Sequence, residues 1–222
     1  MTAIPKRNIW RSKRLVFRPC ETTDEPFLLS LHQHSSEGFQ NATLFLPLPQ
    51  GKTSATRHRE WLQSCLLGCI VCLPAPVTAD AAPTAATSGN LPLEPIPIGT
   101  ITLEAPMAAR EHHRKTSIGL TISAPYQSQG YGTESIMWVL EWAFRHANLH
   151  RVGIAAFAWN EGALRLYERL GFLPEGRMRE VVWYDGGYHD MVELGMLDRE
   201  WWEKYGGRGG GEKSEQSKQS ES

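Results

Sequence analysis

Within about thirty residues the apolar period of this chain changes from two to between three and four, and two glycines sit at the change. In "TSIGLTIS" (116–123), Ile118, Leu120 and Ile122 share one face of a strand, while Ser117, Gly119 and Thr121 share the other. After "APYQSQGYG", residues Ile136, Leu140, Ala143, Phe144 and Ala147 recur at helical spacing from Gly132 onward. A strand that turns through Gly130 and Gly132 into an amphipathic helix restricts the chain to a layered α/β architecture.

The neighbouring segments obey the same restriction. "RLVFRPC" (14–20) and "IGTITLE" (98–104) read as strands, and "RVGIAAFA" (151–158), apolar on both faces, reads as a central strand. "TTDEPFLLSLHQ" opens with capping residues and continues with Phe27, Leu28 and Leu31 as a helix; a second helix is expected over about Thr53–Cys65, with a proline-punctuated loop between them. Asn160 caps a helix whose stripe is Ala163, Leu166, Tyr167 and Leu170, and Gly171 stops it. The segment "RMREVVWYDGGYHDMVELGML" is a hairpin about Asp185-Gly186. The expected fold is mixed α/β with an antiparallel ending.

Composition supplies exclusions. The 222 residues suit one domain with a full core; 23 basic against 24 acidic residues leave a net charge of -1 and no global field for nucleic acid or an anionic membrane. No apolar run approaches the twenty or so residues of a membrane span. Cys65, Cys69 and Cys72 crowd one helix-like stretch and Cys20 lies elsewhere, which makes neither a disulfide framework nor a structural zinc site; buried free thiols in the cytosol or nucleus are expected, and no metal. Six basic residues and no acid in the first twenty residues faintly match an import presequence, but the strand inside that window argues against its removal. The Pro-, Ala- and Thr-rich stretch 73–97 reads as a disordered insertion and 206–222 as a disordered tail, around a domain spanning 14–205 after an N-terminal extension, 1–13. The glycine run of the tail is no phosphate loop, because Glu212 separates Gly211 from Lys213 and no strand precedes it.

The corner itself points to an anion. The first-turn N–H groups of the helix after Ser123 face the strand-to-helix gap, and glycines let a ligand approach them. Taken alone, two glycines are more often a plain turn. A dinucleotide fingerprint is disfavoured, since its third glycine would fall at Ser135. The corner has company, however. The pattern Gln-x-x-Gly-x-Gly at Gln127, Gly130 and Gly132, followed by Asn-x-x-Ala-x-x-Leu-Tyr-x-x-x-Gly-Phe from Asn160 to Phe172, resembles the GNAT acetyltransferase superfamily. "RLVFRP" and "GFLPEGRMRE...DGGYHD" resemble the branch that holds ribosomal-protein N-terminal and polyamine acetyltransferases, over residues 14 to 202 without the insertion.

That resemblance implies a mixed, mostly antiparallel twisted sheet flanked by helices and an acetyl-CoA-dependent N-acetyltransferase acting on a primary amine by direct attack. The acceptor is a protein N-terminus, a polyamine or a small-molecule amine, and a homodimer is allowed. It implies that Gln127, Ser128, Gln129, Gly130, Tyr131, Gly132 and Thr133 wrap the coenzyme pyrophosphate and that the main chain of Leu120, Thr121 and Ile122 pairs with pantetheine and polarises the thioester. Asn160 would contact pantetheine and Tyr167 would protonate the leaving sulfur. On its stripe alone, Tyr167 reads as a core tyrosine. Glu104 is the candidate general base, and equally reads as a solvated strand-end carboxylate. A base matters most for a lysine-like amine, neutral in only about one molecule in 2,500 at pH 7 against about one in ten for an α-amine. Arg177, Arg179, Asp185, Tyr188 and Asp190 either read the acceptor or pair across strands. The alternative from another class is a non-catalytic coenzyme A-binding sensor or scaffold.

Overall fold

The computed structural model describes residues 8–33, 48–75 and 94–206. Its elements are β1 (Val16–Arg18), α1 (Glu25–Gln33), α2 (Lys52–Ser64), β2 (Leu67–Leu73), β3 (Ile96–Leu103), β4 (Lys115–Ile122), α3 (Tyr131–Arg145), β5 (Arg151–Phe157), α4 (Glu161–Leu170), β6 (Leu173–Tyr184), β7 (Gly187–Leu197) and α5 (Asp198–Tyr205). Among the described residues seven strands form one sheet in the order β1-β2-β3-β4-β5-β7-β6. Every neighbouring pair is antiparallel except β4 and β5. The mixed, mostly antiparallel sheet flanked by helices is therefore present.

Alternation along the strands sorts the core onto two faces. Phe17, Val71, Ile101, Leu103 and Ile118 pack with Ile136, Val139, Leu140 and Ala143 of α3 and with Tyr167 and Leu170 of α4. The opposite face carries a smaller cluster, in which Leu28 and Leu31 of α1 and Leu62 of α2 cover Ile70 and Cys72. Phe17 and Trp138 stack with ring centroids 3.6 Å apart, and Trp201 is buried against Phe144 at 5.7 Å, so both tryptophans act as packing anchors.

Three expectations need correction. The cysteine stretch is a strand over Leu67–Leu73, in which Cys69 to Cys72 are all buried. A strand covered on both faces loses its alternation, which is why a short apolar run imitates a helix. Cys20, Cys69 and Cys72 are buried free thiols and Cys65 is partly buried; burial pushes the Cys69 thiol up to about 12. The insertion is also narrower than 73–97, because Leu73 ends β2 while Ile96 and Pro97 begin β3; residues 76–93 and the tail beyond Gly206 lie outside the described residues. Finally, the ordered body begins before residue 14. Phe17 N–H donates to Trp10 O at 2.9 Å, Arg11 bridges Val16, and Trp138 Nε1–H donates to Ile9 O at 2.7 Å.

The caps expected at α4 and the terminal hairpin are in place. Asn160 Oδ1 accepts from Ala163 N–H at 3.1 Å, and Gly171 ends the helix in the left-handed region at φ 96°. Asp185 and Gly186 both take positive φ, 46° and 78°, as a two-residue hairpin turn requires.

One ion pair ties β1 to the turn Thr22–Asp24 that leads into α1. Asp24 is buried and receives Arg18 in two parallel hydrogen bonds of 2.7 Å, with Glu21 N–H at 2.9 Å. Burial opposes the carboxylate charge, but these donors outweigh it and hold Asp24 below the usual carboxylate range. Its stabilising contribution is therefore complete above the unfolded pKa, about 4, and is lost as pH falls through the lower folded value. Replacing Arg18 with Ala, which strands that carboxylate, is expected to cost about 3 kcal/mol in urea unfolding at neutral pH, with the deficit shrinking as acid protonates Asp24.

Candidate active site

The site begins where two strands part. The parallel β4–β5 ladder runs only from Lys115↔Arg151 to Ser117↔Gly153, whereas β4 continues to Ile122 and β5 to Phe157. Beyond Ser117 the β4 edge facing β5 keeps its main-chain N–H and C=O groups unpaired by the sheet, in the stretch that contains Leu120, Thr121 and Ile122. On its other edge β4 pairs with β3 as far as Gly99↔Ile122, so the strand is held extended while one side stays open. Helix α3 packs on β3 and β4, α4 packs on β5, and the two helices touch, which sets the wedge beneath both.

The glycine corner closes the wide end. Ser123 to Tyr126 form a short turn, and Gln127 N–H is taken by Ala124 O at 3.2 Å. The chain then enters the left-handed region at Ser128, φ 59°, and again at Gly130, φ 84°. Such alternation turns successive amides toward one point and forms an anion nest. Glu134 N–H finds Gly130 O at 3.1 Å; upstream of it the N–H groups of Ser128, Gln129, Gly130, Tyr131, Gly132 and Thr133 have no protein acceptor among the described residues. The row thus starts at Ser128, one residue later than the sequence pattern places it. Gln127 and Gln129 brace the loop by donating their side-chain amides to Ile122 O at 2.7 Å and Pro125 O at 2.8 Å.

The two glycines have different reasons to be there. Gly130 needs its positive φ. Gly132 does not: it is helical, and a Cβ there would meet only Leu120 Cδ2, at an ordinary 3.6 Å. Nothing among the described residues asks residue 132 to be bare.

Arg14 is a contributor that the sequence conceals. Its Nε donates to Glu134 Oε2 at 2.7 Å and its Nη1 to Gln129 O at 3.1 Å, with the guanidinium over the Tyr131 ring at 4.6 Å. Glu134 Oε1 also accepts Arg14 N–H at 2.6 Å and Ser12 Oγ–H at 2.7 Å. Burial opposes the Glu134 charge, but Ser12 and Arg14 together hold the group below its ordinary range. The strand leading into β1 is thereby latched to the first turn of α3. More than a hundred residues separate the partners, and no local pattern announces them.

On α4, Asn160 and Tyr167 stand seven residues apart on one side of the helix. The Asn160 carbonyl oxygen is committed to the cap. Tyr167 is buried, and its hydroxyl has no hydrogen-bond partner among the described residues; burial alone pushes it up to about 12. The phenol keeps its proton throughout the neutral range.

Glu104 lies one residue past β3, exposed, with its N–H on Ser117 O at 3.0 Å and its own O receiving Thr116 Oγ1 at 2.7 Å. It therefore stands beside the last residue of β4 that pairs with β5. Of the hairpin residues, Arg177 and Asp190 pair across strands at 2.6 Å, Glu180 N–H also caps Asp190, and Asp185 forms the turn. Tyr188 packs edge-on to Trp183 at 4.8 Å, and Arg179 is exposed in the irregular part of β6. The structure gives these five structural or solvated surroundings. Among the described residues no His, Cys, Asp and Glu are grouped as metal ligands, and no helix is long and apolar enough to cross a membrane.

A sheet parted between two parallel strands, with a row of open amides past the end of one of them, is an arrangement suited to an extended ligand with an anionic group. The family model described as acetyltransferase (GNAT) domain matches residues 14–173, and the chain belongs to that family. It is similar to the putative ribosomal N-acetyltransferase YdaF of Bacillus subtilis (strain 168), 36% identical over 89 residues, covering 40% of this chain and 49% of that protein. It is also similar to the spermidine N(1)-acetyltransferase of Vibrio cholerae, 29% identical over 85 residues, covering 38% and 49%. The chain spans about half the length of the curated relatives it matches. Among solved structures, the spermidine N-acetyltransferase from Vibrio cholerae in complex with CoA and spermine superposes with a TM-score of 0.65 at 18% identity, over 86% of this chain and 99% of that one, which is a likeness of fold.

The bare position makes a prediction. Replacing Gly132 with Ala is expected to leave the fold intact and to raise its stability by up to about 1 kcal/mol, the usual difference between these residues in a helix. Coenzyme A affinity, measured by calorimetry, should fall by about tenfold or more, equivalent to about 1.4 kcal/mol. Unchanged affinity would remove the amide row as the coenzyme's seat.

Proposed function

We propose that this chain is an acetyl-CoA-dependent N-acetyltransferase that acetylates a primary amine by direct attack. The observation that carries the reading is the open amide row from Ser128 to Thr133, at the first turn of α3 and just past the end of β4, the strand that leaves β5 after Ser117. A doubly charged pyrophosphate matches that donor set in charge and in its need for several convergent hydrogen bonds.

Bound acetyl-CoA would supply the acetyl group as a thioester: the amine nitrogen forms a C–N bond as the C–S bond breaks, the amine losing one proton and the thiolate gaining one. The residues of this chain do the remaining work. Ser128 to Thr133 hold the phosphates, and the unpaired β4 edge around Leu120 to Ile122 orients the pantetheine arm and donates to the acetyl carbonyl. Tyr167, protonated and without another partner, gives its proton to the departing sulfur. Glu104, beside the point where the strands part, accepts the proton of the amine, directly or through water. Asn160 orients α4 through its cap. A non-catalytic coenzyme sensor would need the amide row and the split, and would have no use for a buried unpartnered phenol.

The acceptor class agrees with the names of the relatives, ribosomal and spermidine N-acetyltransferases. Incubation with isotope-labelled acetyl-CoA and a panel of spermidine and peptide N-termini, read by mass spectrometry, is expected to show a labelled amide. Coenzyme binding with no transfer to any amine would leave the sensor reading. Replacing Tyr167 with Phe should lower kcat by about 10²- to 10⁴-fold while coenzyme A affinity stays nearly constant; an unchanged kcat would strip Tyr167 of the acid role.

A further inference from the structure

An acid in the first turn of α3 sets a problem for an anion at the same helix end. Glu134 suits the helix dipole, and by the same charge it repels a phosphate seated on the row from Ser128 to Thr133. The chain lays a guanidinium against both. Arg14 Nε donates to Glu134 Oε2 at 2.7 Å and Nη1 to Gln129 O at 3.1 Å, while Nη2 stands 3.2 Å from the position a Cβ on Gly130 would take. The cation thus runs along Gln129, Gly130 and Tyr131, whose ring it covers at 4.6 Å. Its Nη2 has no acceptor among the described residues, and the Arg14 side chain is 43% exposed against 15% for Glu134.

What holds the Glu134 carboxylate in place is separable from what cancels its charge. Its Oε1 accepts from the Arg14 main-chain N–H at 2.6 Å and from Ser12 Oγ–H at 2.7 Å, and neither donor belongs to the Arg14 side chain. The segment that carries them is fastened separately. Ser12 N–H donates to Leu15 O at 3.0 Å, Leu15 N–H to Ser12 Oγ at 3.2 Å, and Trp138 Nε1–H of α3 to Ile9 O at 2.7 Å. Without the guanidinium the carboxylate would keep its seat in the first turn and lose its one ion pair among the described residues. A seated carboxylate with no cation on it would then face whatever anion the row receives.

We infer that Arg14 is a positioning residue for the coenzyme diphosphate, acting by cancelling the Glu134 charge beside the amide row. A residue ahead of β1 thereby sets the affinity of a loop more than a hundred positions away. This rests on the reading of the row as the coenzyme's seat, and adds a residue that the pattern from Gln127 to Gly132 does not contain. The helix keeps an acid that favours its own N-terminus, and the ligand meets a neutral pair in place of a bare carboxylate.

The test is calorimetry of coenzyme A on the full chain, comparing the wild type with Arg14→Gln, Arg14→Lys, Glu134→Gln and the double variant Arg14→Gln/Glu134→Gln. At low salt Arg14→Gln is expected to weaken coenzyme A binding by about tenfold or more, and the ratio to wild type should shrink as salt is raised toward about 1 M, where the screening length is about 3 Å. Arg14→Lys, which keeps the charge, and the double variant, which removes both charges, should each stay within about threefold of the wild type, and Glu134→Gln should bind at least as tightly. A merely structural latch predicts equal losses in Arg14→Gln, Glu134→Gln and the double variant, with no dependence of the ratio on salt; that result, or an unmoved affinity in Arg14→Gln, would overturn the assignment. If Arg14→Gln does not fold, the double variant decides alone: affinity near that of the wild type supports charge cancellation, and a tenfold loss rules it out. Wild-type binding of coenzyme A with no effect of these substitutions sinks only the role of Arg14, whereas no coenzyme A binding in the wild type sinks the coenzyme reading and this inference with it. Neither outcome depends on finding the amine acceptor.

Discussion

A parallel ladder that ends after Ser117↔Gly153 governs the rest of this structure. Two strands that part leave unpaired main-chain groups along their inner edges, and buried groups of that kind must find partners. A solvent-filled or ligand-filled wedge provides them, whereas a packed core cannot. The fold keeps the wedge open by fastening each strand on its far side: β4 pairs with β3 up to Ile122, and β5 pairs with β7 from Arg151 to Phe157. Opening the sheet therefore costs pairing in one short stretch while every strand remains anchored.

The helices follow from the same division. Helix α3 begins at the wide end because β4 ends there, and its unsatisfied first-turn amides are delivered to the mouth without any special side chain. The latch of Ser12 and Arg14 on Glu134 fixes that end against β1, four strands away from β5 in the sheet order. The acid in the first turn suits the helix dipole, but it is fully engaged by Arg14 and Ser12 and does not fill the anion nest. Across the sheet, Ser117, Gly119 and Thr121 of β4 lie outside the second hydrophobic cluster among the described residues. One strand thus presents an aliphatic face to the core and a face of small residues away from it, a consequence of the two-residue period alone.

Elements with a local cause were legible in the sequence. The alternation of β4, the stripe of α3, the Asn160 and Gly171 caps and the Asp185-Gly186 turn each depend on residues a few positions apart. What escaped reading depends on distant pairing. The β4–β5 split is a fact of register between strands more than thirty residues apart; the Arg14 latch is likewise set by tertiary packing. The β2 stretch was misread because a strand buried on both faces has no period to show. The start of β6 is masked by Pro174 and Gly176, which lie at a shift of register with β7 and carry none of the usual strand signal. For the candidate site, the pattern from Gln127 to Gly132 located the corner, but only the hydrogen-bond pattern shows that Gln127 spends both its N–H and its side chain on building the loop.

The proton-handling roles proposed for Tyr167 and Glu104 can be set against the energetics of the reaction proposed. Protonating a sulfur leaving group asks for a donor that still holds its proton at neutral pH, and the Tyr167 phenol, pushed up to about 12 by burial, does so. Deprotonating an alkylammonium is the harder task, since its pKa of about 10.4 lies more than three units above neutrality. A base for that proton works best in contact with water, where it can discharge after each turnover, and Glu104 is exposed at a strand end rather than sealed in the core. In the proposed reaction the two groups thus differ in setting, Tyr167 being buried and Glu104 exposed.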